Sequence, residues 1–242
     1  PRLGAEACSH GNGPDQSCCV KHCTQRWHST MNINALRCEL LTPPEPNGKL
    51  VVVLHGRGDS TAGFYWMPNV MAVPDISWLL VNAPDPWHEG FSWYDLPPDH
   101  GPGIQRSCGL LDALFDEIAD QGFPPENVIL FGFSQGCLLT LEWGGRTERP
   151  LAGCIGVSGY CYDADALGRE ASKAARSRPW LVTHGYQDEV LPYDVTAQQM
   201  VALNAAGLRI DFRSYDKAHT INPDLMDIRT AIVSMFGMGP GV

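Results

Sequence analysis

The sequence lacks any long run of apolar residues. Its longest apolar stretches, such as residues 50–54 and 78–81, are far shorter than the ~20 residues that a helix needs to cross a bilayer. The first thirty residues also lack the continuous apolar segment of a secretory signal peptide. These absences predict a chain without a transmembrane segment and favour a cytoplasmic location.

Basic residues are scarce as well. Lys and Arg number 17 against 27 Asp and Glu, which gives a formal net charge of -10 at pH 7. Such an excess of negative charge repels phosphate backbones and anionic membrane surfaces. We therefore expect no nucleic-acid partner.

The paired Cys-x-x-Cys motifs of a structural zinc site are also missing. Five of the nine cysteines occur singly in apolar surroundings, and we predict that they are reduced core residues: Cys38, Cys108, Cys137, Cys154 and Cys161. The other four lie within the first 23 residues. Because thiolates and imidazoles bind metals, one alternative stays open, namely a metal site built from Cys18, Cys19, His22, Cys23 and His28.

Composition divides the chain in two. Residues 1–30 are polar and show no helix or strand periodicity, so we predict an atypical Cys/His-containing extension there and one catalytic domain over residues 31–242. From Met31 onward, short apolar runs alternate with helical patterns, which predicts an α/β fold with a mainly parallel central sheet and helices on both faces. The predicted strands are 36–41, 50–54, 78–81, 128–131, 154–157, 180–183 and 209–215. The predicted helices are 104–121, 135–144, 165–175, 192–206 and 223–236. Residues 84–103 are predicted to form a long irregular loop.

The most informative motif is residues 132–136 (GFSQG), which follow an apolar strand and precede a helical pattern. A serine on such a sharp strand-to-helix turn takes a strained backbone conformation, and small residues two positions away let the turn close. Gly132 and Gly136 meet this requirement. The pattern predicts a nucleophile elbow with Ser134 as nucleophile.

A serine hydroxyl needs an imidazole base, and the base needs a carboxylate to fix its tautomer. Asp188 follows the predicted strand 180–183, and His219 follows the predicted strand 209–215, which gives the chain order serine, acid, histidine. We predict Asp188 as the acid and His219 as the base. His184 precedes the acid in the chain and is interpreted as a histidine that supports the turn.

Oxyanion stabilisation requires two backbone N–H donors close to the serine. Gln135, the first residue of the helix after the elbow, is one candidate, and Arg57, in the glycine-containing loop after strand 50–54, is the other. Aromatic and apolar residues near the predicted mouth are candidates for a substrate pocket: Phe64, Trp66, Met67, Trp93, Tyr94 and Leu191.

Together, these motifs resemble the carboxylesterase, acyl-protein thioesterase and phospholipase-like branch of the α/β-hydrolases. The matching segments are residues 55–59 (HGRGD), 92–95 (SWYD), 132–136 (GFSQG), 184–192 and His219. The resemblance implies an α/β-hydrolase fold, a serine esterase mechanism, no cofactor and no metal. The order of predicted elements leaves no segment for a large cap domain. The chain departs from the family pattern at Arg57, where relatives often carry an apolar residue, and at Ala218, where glycine is common.

The expected activity is hydrolysis of short- to medium-chain carboxylic esters of small molecules through an acyl-enzyme. An acyl-protein thioesterase or lysophospholipase with the same triad is the first alternative. A hydrolase-fold binding protein without chemistry is the second. A homodimer is an open question at this point.

Overall fold

The computed structural model describes residues 28–29 and 31–239. The thiols and both imidazoles of the alternative metal site, and nearly all of the predicted N-terminal extension, lie outside the part of the chain that the structure describes. His28–Ser29 form a short strand that pairs antiparallel with the next strand, so the sheet begins just before Met31.

An eight-stranded sheet forms the centre of the molecule. The strands are β1 (His28–Ser29), β2 (Cys38–Leu41), β3 (Leu50–Leu54), β4 (Ser77–Val81), β5 (Asp85–Trp87), β6 (Gly90–Ser92), β7 (Val128–Phe133), β8 (Gly153–Val157), β9 (Trp180–Gly185) and β10 (Ile210–Tyr215), of which β5 and β6 form a separate antiparallel pair. The order in the central sheet is β1-β2-β4-β3-β7-β8-β9-β10; β2 pairs antiparallel with β1 and β4, and all other neighbours pair in parallel. The predicted α/β fold with a mainly parallel sheet is confirmed.

Seven α-helices accompany the sheet in the described part of the chain. They are α1 (Met67–Met71), α2 (His100–Asp120), α3 (Gln135–Arg146), α4 (Ala164–Glu170), α5 (Lys173–Ser177), α6 (Tyr193–Ala205) and α7 (Leu225–Met235). Short 3-10 turns precede α1, β7 and α7 at Thr61–Phe64, Pro125–Asn127 and Asn222–Asp224. None of the helices described is long and apolar enough to span a bilayer.

Both faces of the sheet carry a hydrophobic core. Along β3, Val51 and Val53 face the core beneath α1 and α7, whereas Leu50, Val52 and Leu54 face the core beneath α2, α3 and α6. Successive side chains of a strand point to opposite faces, and all five of these residues are buried. A strand covered on both sides therefore reads as an unbroken apolar run rather than an alternating one.

Two elements differ from the sequence prediction. The segment predicted as an irregular loop over 84–103 contains a hairpin, β5 (Asp85–Trp87) and β6 (Gly90–Ser92), and the first turn of α2. The helix predicted over 165–175 is two helices, because Ser172 accepts a hydrogen bond from the Ala175 N–H and starts α5 anew. The 3-10 turn before α1 and α1 itself were not predicted.

The five scattered cysteines are free thiols, as predicted. Cys137, Cys154 and Cys161 are buried, whereas Cys38 and Cys108 are only partly buried.

Candidate active site

Ser134 lies at the carboxyl end of β7, immediately before α3. Its φ of 55° and ψ of -114° place it in a strained region for a residue with a side chain. Neighbouring atoms leave no room for side chains at the two flanking glycines. A Cβ on Gly132 would lie 2.1 Å from the Gly136 carbonyl oxygen, and one on Gly136 would lie 2.2 Å from the Leu54 oxygen. The turn can close only with glycine at both positions.

His219 connects the serine to a carboxylate. Its Nε2 lies 2.9 Å from Ser134 Oγ, and its Nδ1 lies 2.8 Å from Asp188 Oδ2. A carboxylate oxygen only accepts, so Nδ1 donates to it and Nε2 is left to accept the serine proton. This tautomer is the one that a general base needs.

The loop after β9 holds Asp188 in place. The carboxylate is buried, and its Oδ1 accepts hydrogen bonds from the N–H groups of Val190 at 3.0 Å and Leu191 at 2.8 Å. His184 lies beneath this loop, and its Nε2 donates to the Leu191 carbonyl at 2.9 Å. Burial lowers the pKa of His184. His184 therefore supports the acid loop, as the sequence predicts.

The loop after β3 lies against the nucleophile. A Cβ on Gly56 would approach Ser134 Cβ to 3.2 Å. The buried His55 fixes this loop, because its Nδ1 donates to the Gly56 carbonyl at 2.6 Å and its Nε2 accepts from the Ala83 N–H at 3.0 Å. Burial also lowers the pKa of His55, which favours this neutral form.

Gln135 couples the elbow to the segment after the hairpin. Its side-chain oxygen accepts from the Trp93 N–H at 2.9 Å and from the Ser92 hydroxyl, and its amide nitrogen donates to the Tyr94 carbonyl at 2.8 Å. The backbone N–H of Gln135 opens α3, where a helix has no internal partner for it. Neither this N–H nor that of Arg57 has a hydrogen-bond partner among the described residues.

A cavity of about 480 Å³ opens beside His219. Most of its lining side chains are apolar, from Phe64, Trp66, Val70, Phe133, Ile221 and Leu225, and the polar ones come from Asp59, Thr220 and Asn222, with Gly63 contributing its backbone. Phe133 packs against the imidazole, with ring centroids 5.0 Å apart. A larger cavity of about 810 Å³ lies between α2, α3 and α4, and none of Ser134, Asp188 and His219 lines it.

The predicted pocket residues fall into two groups. Phe64 and Trp66 line the cavity beside His219. Met67, Trp93 and Tyr94 are buried in the core instead, because α1 and the segment after the hairpin turn them inward. Leu191 is partly buried and contributes its backbone to the acid loop.

Sequence reasoning missed several lining residues. Phe133 sits inside the elbow motif, and Ile221 and Leu225 follow the base within six residues. Their closeness to Ser134 and His219 in the chain was the available signal.

The buried thiol of Cys137 does not act as a second nucleophile beside Ser134. Burial raises the pKa of the nearby Cys137 thiol to about 12, so it stays protonated at neutral pH. The described part of the chain has no group of three or more His, Cys, Asp or Glu side chains arranged to hold a metal ion.

A comparison with protein families identifies the chain. The model of the phospholipase/carboxylesterase family matches residues 37–235. The chain belongs to this family. It is therefore an α/β-hydrolase and an enzyme of the serine hydrolase type, and the family match spans every strand from β3 to β10 as well as Ser134, Asp188 and His219.

Relatives of this family member agree with the match. Acyl-protein thioesterase 1 of Schizosaccharomyces pombe is 31% identical over 170 residues, covering 65% of this chain and 76% of the relative. A probable carboxylesterase of Oryza sativa subsp. japonica is 28% identical over 186 residues, covering 70% of each chain. The crystal structure of esterase PE8 superimposes with a TM-score of 0.74 at 27% identity, covering 83% of this chain and 99% of that one.

Proposed function

We propose that this family member is a serine carboxylesterase that hydrolyses short- to medium-chain carboxylic esters. Ser134 is the nucleophile, His219 the general base, and Asp188 the acid that orients it. The observation that carries the proposal is the unbroken hydrogen-bond chain from Ser134 Oγ to His219 at 2.9 Å and from His219 to Asp188 at 2.8 Å.

Acylation of the enzyme is the first half of the reaction. Ser134 Oγ attacks the ester carbonyl carbon while its proton passes to His219 Nε2. The backbone N–H groups of Arg57 and Gln135 donate to the oxyanion of the tetrahedral intermediate. The carbon–oxygen bond to the leaving alcohol then breaks, and the alcohol takes the proton from His219.

Water completes the cycle. His219 accepts a proton from a water molecule, whose oxygen attacks the acyl carbon. The ester bond to Ser134 breaks, Ser134 regains its proton, and the carboxylic acid leaves. Asp188 stabilises the imidazolium in both halves without itself taking the proton.

The cavity beside His219 supports the choice of substrate. Its apolar side chains suit an acyl chain, and its 480 Å³ volume falls within the ordinary range of small-molecule sites. Among the described residues, the connection from β4 to α2 holds only the small β5–β6 hairpin, and no cap domain covers the cavity. A cavity that no cap domain encloses, among the described residues, favours short and medium chains.

A thioesterase is the second candidate, because the same triad serves a thiolate leaving group. The similarity to acyl-protein thioesterase 1 of Schizosaccharomyces pombe favours it. A lysophospholipase would use the same residues.

Replacing the nucleophile tests the proposal. We expect Ser134→Ala to keep its fold and to lose at least ~1,000-fold in kcat on p-nitrophenyl butyrate, since triad residues act as a unit. Ser234→Ala, on the exposed face of α7, is the matched control and should retain full activity. A fluorophosphonate should label the wild type and the control but not Ser134→Ala. Undiminished turnover or undiminished labelling in Ser134→Ala refutes the assignment.

A panel of substrates separates the enzymatic alternatives. It compares p-nitrophenyl esters from acetate to palmitate with an acyl-thioester and a lysophospholipid. The carboxylesterase proposal expects kcat/KM to be highest for short or medium esters. A maximum at palmitate contradicts the chain-length assignment, and a clear preference for the thioester shifts the function to the second candidate.

A further inference from the structure

The side chain of Arg57 has no part in the reaction described above, which uses only its backbone N–H. Its guanidinium carbon lies 3.9 Å from the centroid of the Trp87 ring. Trp87 belongs to the β5–β6 hairpin, which is fastened over the loop by hydrogen bonds from the Gly58 N–H to the Phe91 carbonyl at 2.8 Å and from the Phe91 N–H to the Asp59 carbonyl at 2.9 Å. The hairpin thus holds an indole face against this arginine.

No acidic partner neutralises Arg57 within the described part of the chain. No carboxylate forms an ion pair with its guanidinium there, and its buried Nε has no hydrogen-bond partner. Asp59 accepts from the Ser60 N–H at 2.7 Å, Asp85 pairs with Arg106, and the exposed Glu89 in the turn of the hairpin forms no ion pair with Arg57. An unpaired, partly buried cation is costly to keep unless something binds it.

Arg57 also lies close to the nucleophile. Gly56, the preceding residue, packs against Ser134, and consecutive Cα atoms are about 3.8 Å apart. The largely apolar cavity beside His219 does not include Arg57 in its lining. The backbone that carries Arg57 therefore lies beside Ser134, while its guanidinium extends to the hairpin outside the apolar cavity, in a protein whose net charge is -10.

We propose that Arg57, stacked on Trp87, is a specificity-determining residue that binds a carboxylate on the substrate, so that the preferred esters carry an apolar portion and a second, anionic carboxylate group. A planar guanidinium stacked on an aromatic ring keeps its edge free for a two-point contact with a carboxylate. This inference rests on the proposed function, in which Ser134 is the nucleophile.

Matched ester pairs measure the preference for charge. On the acyl side, p-nitrophenyl hydrogen adipate is compared with its neutral primary amide. On the alcohol side, 4-carboxyphenyl butyrate is compared with 4-carbamoylphenyl butyrate. The charge preference is kcat/KM for the carboxylate divided by kcat/KM for the amide, so any general loss of activity cancels.

Replacing Arg57 by Leu should lower the charge preference about 10- to 100-fold on at least one side, as expected for loss of a hydrogen-bonded charge pair. Arg57→Lys keeps the charge but loses the planar contact, and we expect an intermediate loss. Arg209→Leu removes the same charge from an exposed position at the amino end of β10, whereas Arg57 follows the carboxyl end of β3. This variant should leave the charge preference unchanged. An unchanged charge preference in Arg57→Leu on both the acyl and the alcohol side overturns the inference. An equal loss of kcat/KM on the charged and the neutral ester counts as unchanged.

A binding measurement separates this inference from the proposed function. Calorimetric titration with N-ethyladipamic acid and with its neutral diamide gives the same charge preference without turnover. If Ser134→Ala proves fully active but Arg57→Leu still loses affinity for the acid alone, the function is wrong and the carboxylate site stands. If the triad is confirmed and affinity for the acid does not depend on Arg57, only the carboxylate site is wrong.

Discussion

Gly136 shows how a single residue constrains both the fold and the chemistry. Its Cα faces the Leu54 carbonyl so closely that an added Cβ would lie 2.2 Å away, and backbone atoms cannot move aside cheaply. We expect Gly136→Ala to lower the free energy of unfolding by about 1–3 kcal/mol, the usual cost of overpacking a core. Activity should fall further than stability, because the shift displaces the turn that carries Ser134. Urea denaturation and esterase assays measure the two effects.

Gly109 offers the matched control for that prediction. It lies on the exposed side of α2, and a Cβ there would meet nothing within 4 Å. Ala is favoured over Gly inside a helix by about 1 kcal/mol, so Gly109→Ala should stabilise the protein. Equal effects from both substitutions would contradict the steric argument.

The residues of the candidate triad were predictable because each has a strong local signal. Ser134 lies between two glycines after an apolar strand, and Asp188 and His219 each follow a strand. Pocket residues carry no comparable signal. Trp93 is as aromatic as Trp66, yet only Trp66 faces the cavity, because the path of each loop decides where a side chain points.

At the scale of elements, apolar strands were easier to predict than the polar hairpin and the short helices. β3, β7 and β9 are apolar runs bounded by turn residues, and their buried faces match the prediction. The β5–β6 hairpin has partly exposed strands of three residues each. The hairpin is held in place by hydrogen bonds to the loop after β3, and such long-range contacts leave no periodic pattern in the sequence.

The loops that carry the acid and the base are held to each other by Lys217. Its ammonium group is buried, donates to the Thr220 carbonyl at 2.8 Å and pairs with the buried Asp224. Its carbonyl oxygen accepts from the Gln187 N–H at 3.1 Å, one residue before Asp188. Burial lowers the pKa of Lys217, and Asp224 counteracts this effect. The pair therefore fixes the segment that contains His219.

Breaking this pair should cost stability and turnover. Lys217→Met leaves Asp224 buried without a cation, which we expect to lower the free energy of unfolding by about 3–5 kcal/mol. Adding Asp224→Asn to that variant should restore part of the loss, because the uncompensated charge is gone. Lys173→Met, on the exposed side of α5, is the control and should change stability by less than about 0.5 kcal/mol. If both lysine variants unfold at the same urea concentration, the pair does not hold the loop.

At the scale of the whole molecule, the parallel sheet brings the site together. Ser134, Asp188 and His219 are far apart in the chain but follow the carboxyl ends of β7, β9 and β10, which meet at one edge. The sequence order of strands and helices was enough to predict this convergence. The orientation of Arg57 was not predictable, since it depends on a hairpin that packs against the loop from elsewhere in the chain.

The same architecture places two neutral histidines under the site, and this makes stability depend on pH. Burial lowers the pKa of both His55 and His184 from the ordinary 6.5. Below pH 6.5, these two histidines bind protons in the unfolded chain but not in the folded protein. Their contribution to stability is therefore present above pH 6.5 and is lost as the pH falls.

We therefore expect urea denaturation to show falling stability from pH 7.5 to pH 5.5, with a slope of up to about 1.4 kcal/mol per pH unit for each histidine. His184→Gln removes one of the two titrating groups, while its amide can still donate to the Leu191 carbonyl, and it should flatten the slope. His88→Gln, at an exposed position of the hairpin, should not. A wild-type protein whose stability is constant over this range, or a slope that His184→Gln leaves intact, would show that the buried imidazoles titrate as freely in the folded state as in the unfolded chain.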